Sequence, residues 1–134
     1  MPVVFRAEET VEIIKGKILP MSAPSRVHQQ ISRDLNGIFY NYFKKNPCEF
    51  YAAPFDVRLF DKRKSTKANK DVFSVIQPDI CVICDESKLD ARGCLGAPDL
   101  VIEILSPGNS NKEMKTKKLL YEENEVREYW VIHP

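Results

Sequence analysis

No stretch of the 134 residues holds an apolar run long enough for a transmembrane helix. The opening segment, Met1 to Thr10, lacks the basic and then apolar blocks of a secretory signal, so a cytoplasmic location and no membrane partner are expected. Repeats and low-complexity linkers are absent too. The length suits a single domain, 1–134, with one core. Nor is there a large excess of one charge: the formal net charge is +1, which by itself does not mark a nucleic-acid binder. Four cysteines are present, but they lack the arrangement of a zinc site. Cys81 and Cys84 lie in the apolar run Ile80-Cys81-Val82-Ile83-Cys84, which reads as a strand. Positions three apart on a strand point to opposite faces, and Cys48 and Cys94 supply no second pair. Reduced, mostly buried thiols are expected.

What the chain does have is local charge. Lys62, Arg63, Lys64, Lys67 and Lys70 crowd one segment, and Lys112, Lys115, Lys117 and Lys118 another. A solvated loop and a solvated helix face explain them. A surface that tracks a phosphate backbone explains them as well, because phosphate neutralisation needs local charge.

Hydropathy patterning predicts an α+β domain: a mixed β-sheet flanked by helices, with an N-terminal β-hairpin. Thr10 to Ile14 and Lys17 to Met21 flank the turn signal Lys15-Gly16. Val27, Ile31, Leu35, Ile38, Phe39 and Tyr42 recur at helical spacing and predict a helix from about Ser25 to Lys44. Phe50 to Ala53, Phe55 to Phe60, Val72 to Ile76 and Ile80 to Cys84 read as strands. Asp61 to Asp71 reads as a polar loop, and Asp85 to Pro98 as a connection. Asp99 to Leu105 is a strongly apolar strand. Ser110 and Glu113 have capping-box spacing for a helix reaching about Asn124, and Glu128 to His133 forms a last strand.

Glu103 is the anomaly in this pattern. It interrupts Leu100-Val101-Ile102-Glu103-Ile104-Leu105, where a lone buried carboxylate is costly. Strand parity places it on one face with Asp99, Val101 and Leu105. A metal ion, a lysine or a hydrogen-bond network would stabilise it there; an edge strand with Glu103 in water is the plain alternative. Asp79 supplies a second acid, just after Pro78 at the head of another apolar strand. Two carboxylates on neighbouring strands make a hard-oxygen site suited to Mg²⁺ or Mn²⁺. Met114, Leu120 and Tyr121 define the buried stripe of the following helix, and Lys117 falls near its centre. Lys118 lies toward the edge of that stripe and Lys115 well away from it. Lys117 is therefore expected beside the acids, as a structural salt bridge to Glu103 or as a chemical group.

Several segments together resemble the Uma-type restriction-endonuclease family of the PD-(D/E)xK nuclease superfamily. They are Gln77-Pro78-Asp79, Ala97 to Pro107 with its Val101-Ile102-Glu103-Ile104 core, Lys117 to Tyr121, and Glu128-Tyr129-Trp130-Val131-Ile132-His133-Pro134. The front half is similar as well, from Val11 to Lys17 and through Ser22-Ala23-Pro24 to His28-Gln29. The resemblance implies a restriction-endonuclease-like core and metal-dependent hydrolysis of DNA phosphodiester bonds. In it Asp79, Glu103 and the backbone carbonyl of Ile104 hold Mg²⁺ or Mn²⁺. The superfamily's usual lysine two positions after the second acid is missing, since Leu105 stands there. The resemblance places the lysine on the next helix, at Lys117, in agreement with the stripe. It also marks the region of His28 and Glu12 as a place for an extra acid. For His28 a satisfied core histidine, and for Glu12 a solvent-facing hairpin position, are the plainer readings. Gln77 is near enough to Asp79 to touch substrate or a metal water, or else it caps a strand. Members of the family usually continue past the Trp strand, whereas this chain stops at Pro134; a homodimer is expected, since two strands are most easily cut by two chains. The rival expectation is a nuclease-like fold that binds nucleic acid or a protein without cutting.

Overall fold

The computed structural model describes residues 10–60 and 72–134; the expected loop Asp61 to Asp71, with its lysine cluster, lies outside the described residues. The expected hairpin forms from β1 (Val11–Ile14) and β2 (Lys17–Pro20). Lys15 and Gly16 both adopt positive φ, 50° and 78°, the pair of left-handed residues that a two-residue hairpin turn requires. Helix α1 (Arg26–Phe43) begins at Ser25, whose hydroxyl accepts from the His28 N–H at 3.1 Å. β3 (Glu49–Ala52), β4 (Asp56–Phe60), β5 (Val72–Ile76) and β6 (Ile80–Ile83) follow. After the short β7 (Leu89–Asp90) and β8 (Gly93–Leu95) come β9 (Leu100–Ile104), α2 (Asn111–Glu123) and β10 (Glu128–Ile132). The Ser110 hydroxyl accepts from the Glu113 N–H, as the capping-box spacing predicts.

The strands form two mixed sheets, one of six strands in the order β2-β1-β5-β4-β8-β7 and one of four in the order β10-β9-β6-β3. In the second, β6 runs antiparallel to β9 with Ile80 opposite Ile102, and β9 runs parallel to β10 through the α2 crossover. Alternation then separates two cores. Cys81, Ile83 and Val101 face Ile14, Val57, Leu59 and Ile76 of the larger sheet, together with Leu120 and Tyr121 of α2. Ile80, Val82 and Ile102 point the other way, onto Phe39 of α1. The four-stranded sheet is thus packed on both faces, which explains why its central strands are nearly all apolar.

Three expectations are corrected. The connection Asp85 to Pro98 contains β7 and β8, which are too short to show an alternation in sequence. Gly93 identifies the place: a side chain there would meet Asp56 O at 2.3 Å, and its φ is +131°. On α1, Val27, Ile38 and Tyr42 are exposed, and the covered face runs instead through His28, Leu35, Phe39 and Phe43. One helix face alone reaches the sheet, so the apolar stripe is wider than the contact. Finally, the cysteines are not all reduced: Cys48 and Cys84 form a disulfide, while Cys81 and Cys94 remain buried thiols. The β3–β6 register pairs Glu49 with Ile83, so the next position outward sets Cys48 against Cys84, with Cα atoms 4.1 Å apart.

Candidate active site

Five elements bring the expected residues to one place beside the core between the sheets. β1 alternates so that Glu12 and Ile14 face inward, and Glu12 is buried despite its charge. Parity on β9 turns Glu103 to the same side as Val101. On α2, Lys117 and Tyr121 are one turn apart and share a face. The Pro78-Asp79 step carries Asp79 to the head of β6, and the first turn of α1 presents His28 to it.

The contacts form two adjoining sets, joined through the backbone at Gln77–Asp79 and at Glu103–Ile104. The Lys117 ammonium lies 2.9 Å from Glu12 Oε1 and 3.4 Å from Glu103 Oε1. Its nearer partner is therefore Glu12, not the Glu103 expected from sequence. The second oxygen of Glu12 accepts from the Gln77 N–H at 2.9 Å. Tyr121 donates its hydroxyl to Glu103 Oε1 at 2.7 Å. Asp79 divides its carboxylate: Oδ2 accepts from the Ile104 N–H at 2.7 Å, and Oδ1 lies 3.1 Å from His28 Nε2. The Asp79 carbonyl accepts from the Ala53 N–H, tying β3 to the same point.

Electrostatically the site has more acid than base. Glu12 and Glu103 hold the single ammonium of Lys117, and Asp79 lies close enough to Glu103 to raise its carboxyl. Burial pushes the Glu103 carboxyl up to about 7; Lys117 opposes the rise, while Asp79 and Glu12 add to it. Burial works against the charge on Lys117, but Glu103 and Glu12 outweigh it and raise its pKa, keeping it protonated. Tyr121 is also raised, by burial and then by Glu103, so it remains a hydrogen-bond donor. Among the described residues, no three His, Cys, Asp or Glu side chains converge as a ready-made metal cage.

A model of the Uma2 family, described as "Putative restriction endonuclease", matches residues 1–134. The chain belongs to the Uma2 family. An uncharacterized protein of Synechocystis sp. is 25% identical over 127 residues, or 95% of this chain, and this chain spans 62% of that relative's length. A crystal structure described as "a putative nuclease belonging to DUF820", from Anabaena variabilis ATCC 29413, superposes with a TM-score of 0.69 at 24% identity. It covers 98% of this chain and 70% of that one, and the likeness supports a restriction-endonuclease-like fold for this Uma2 chain.

Within this Uma2 fold the residues singled out in the sequence meet as follows. Glu12, Glu103 and Lys117 are in direct contact, and Asp79 with His28 forms the adjoining set. The solvent-facing reading of Glu12 does not hold, because the strand's inward parity buries it. His28 is buried, as a core histidine would be, yet its ring nitrogen lies against a carboxylate. Gln77 contributes its backbone N–H to the site, while its side chain turns away to Asp56 Oδ1, at 2.8 Å. Ile104 meets Asp79 through its amide. Tyr121 was legible only as part of an apolar stripe. Its signal was there, since a buried tyrosine needs a partner for its hydroxyl and this one lies four residues after Lys117.

Proposed function

We propose that this chain is a metal-dependent endonuclease that hydrolyses DNA phosphodiester bonds at the Glu12–Asp79–Glu103–Lys117 site. The observation that supports it most is the buried excess of carboxylate around one lysine in a chain of the Uma2 family. Such a charge balance suits a divalent cation. The donors are hard oxygens, and Mg²⁺ or Mn²⁺ needs few protein ligands because it keeps several waters. The raised Glu103 carboxyl points the same way, since a cation beside it would relieve the cost of ionising in a dry site. Asp79, Glu103 and the Ile104 carbonyl are the groups that would hold it. When bound, a divalent ion supplies Lewis-acid polarisation of the phosphate and a more acidic water.

The chain's own residues do the rest. Lys117, held protonated by two acids, offers a fixed positive charge where negative charge develops on the phosphorus oxygens. Tyr121 fixes one Glu103 oxygen, and His28 and the Ile104 N–H fix Asp79, so neither acid has to reorganise as the substrate arrives. Cleavage of both strands would call for two chains.

Calorimetric titration with Mg²⁺ or Mn²⁺, run beside a plasmid-nicking assay, tests this reading. Wild type should bind and nick, and Asp79→Ala and Glu103→Ala should each lose both. Lys117→Met should still bind metal but nick at least about a hundredfold more slowly. A wild-type protein that binds no metal, or mutants that bind unchanged, would move the assignment to a non-catalytic binding module with a buried structural ion network.

A further inference from the structure

A concavity opens on the side of Gln77 away from the carboxylates. It has a volume of about 380 Å³ and is lined by residues of β3, β4 and β7 and their turns, among them Tyr51, Phe55, Asp56, Gln77 and Arg92. Nothing in the carboxylate network uses it, yet the two share a wall. The Gln77 backbone N–H holds Glu12, while its side-chain amide donates to Asp56 in the cavity. Ala53, between the two lining aromatics, donates to the carbonyl of Asp79.

Three features specify what would fit. First, the Tyr51 and Phe55 rings are stacked, 4.4 Å apart and within 3° of parallel, and a further flat ring extends such a stack. Second, charges on the wall are balanced. Asp90 is paired with Arg58 and accepts from the Arg92 N–H, so the cavity repels neither a neutral group nor strongly attracts an ion. Third, the wall offers free acceptors beside its donors. Gln77 Oε1 and Asp56 Oδ2 take no donor among the described residues, while the Gln77 amide nitrogen gives one of its two N–H groups to Asp56 Oδ1. The neighbouring depression, lined by Glu49, Glu86 and Asp90 among others, is acidic.

We propose that this cavity receives one unstacked nucleobase bearing an exocyclic amino group, adenine or cytosine, from the strand whose phosphate lies at the carboxylate site. The inference rests on the nuclease reading for its substrate class. Carboxylate and amide oxygens accept well from the adenine N6 or cytosine N4 amino group. Thymine would turn carbonyl oxygens toward them and is disfavoured. A nucleotide pulled from its stack is a common requirement of proteins that handle single bases.

The test is fluorescence anisotropy with short single-stranded oligodeoxynucleotides of A, C or T, in EDTA so that no cleavage occurs. Wild type should bind A and C at least about fivefold more tightly than T. Asp56→Asn should erase that preference, and Phe55→Leu should weaken binding of all three roughly tenfold by thinning the stack. Circular dichroism shows whether each variant is folded. Equal affinity for T, or a preference that survives in folded Asp56→Asn, would overturn the proposal. Preference without metal-dependent nicking would leave the cavity assigned and sink the nuclease reading; nicking without preference would do the reverse.

Discussion

A carboxyl whose proton is held up to about 7 makes stability depend on pH in a direction opposite to most acids. Glu103 binds its proton more tightly in the folded chain than in the unfolded one. That contribution is fully present below the usual carboxylate range and is lost as pH rises toward 7, where the buried group must ionise. Glu103→Gln removes the ionisation and keeps an acceptor for Tyr121. Urea unfolding should therefore show the variant more stable than wild type at pH 8, by on the order of 2–3 kcal/mol, with little difference near pH 4. An equal change at both pH values would show that charge is not the cause. The sequence showed much at this scale. Glu103 stood out because an acid inside an apolar strand needs an explanation, and Lys117 because it sat in a buried stripe. What it hid was the pairing: the closest partner of Lys117 is Glu12, more than a hundred positions away, and no local pattern reports such a contact.

At the scale of elements, the long periodic segments were legible and the short or remote ones were not. The hairpin, α1, β9 and α2 each carried a turn, a cap or a sustained period. β7 and β8 span two and three residues, below the length at which alternation can be seen. The Cys48–Cys84 bond was hidden for a different reason: it depends on the register of β3 against β6, which hydropathy does not give. This bond links chain positions 36 apart, between the end of α1's connection and the end of β6. Replacing both with serine should lower stability by about 3–4 kcal/mol under non-reducing conditions, measured by chemical denaturation. Burial raises the remaining thiols, Cys94 to about 11 and Cys81 further. A thiol-reactive dye should thus find almost no reactive sulfur in the folded chain, two after denaturation and four after denaturation with reductant. Four in denaturant alone would rule out the bond.

For the whole molecule, the division into two sheets decides where the chemistry lies. The α+β class with a mixed sheet was legible in the sequence, but the periodicity of each strand is indifferent to which of the two sheets it joins. The four-stranded sheet is covered by α1 on one face and by the larger sheet with α2 on the other, so α1 is coupled to the site through packing as well as through His28. Phe39 is the centre of that packing, with edge contacts to the rings of Phe43, Phe50 and Trp130. Phe39→Ala should cost on the order of 3–4 kcal/mol in thermal unfolding, and it should change Trp130 fluorescence at temperatures where the variant is still folded. Unchanged stability would mean that α1 is not anchored there. The network draws its members from Glu12, His28, Asp79, Glu103 and Lys117 to Tyr121, which is most of the chain's length. On the ribosome, then, the three acids emerge before Lys117, the one lysine that partly offsets them. Until α2 has left the exit tunnel and closed over β9, Glu12 and Glu103 lack their shared counter-ion, and their burial has to wait for the last part of the chain.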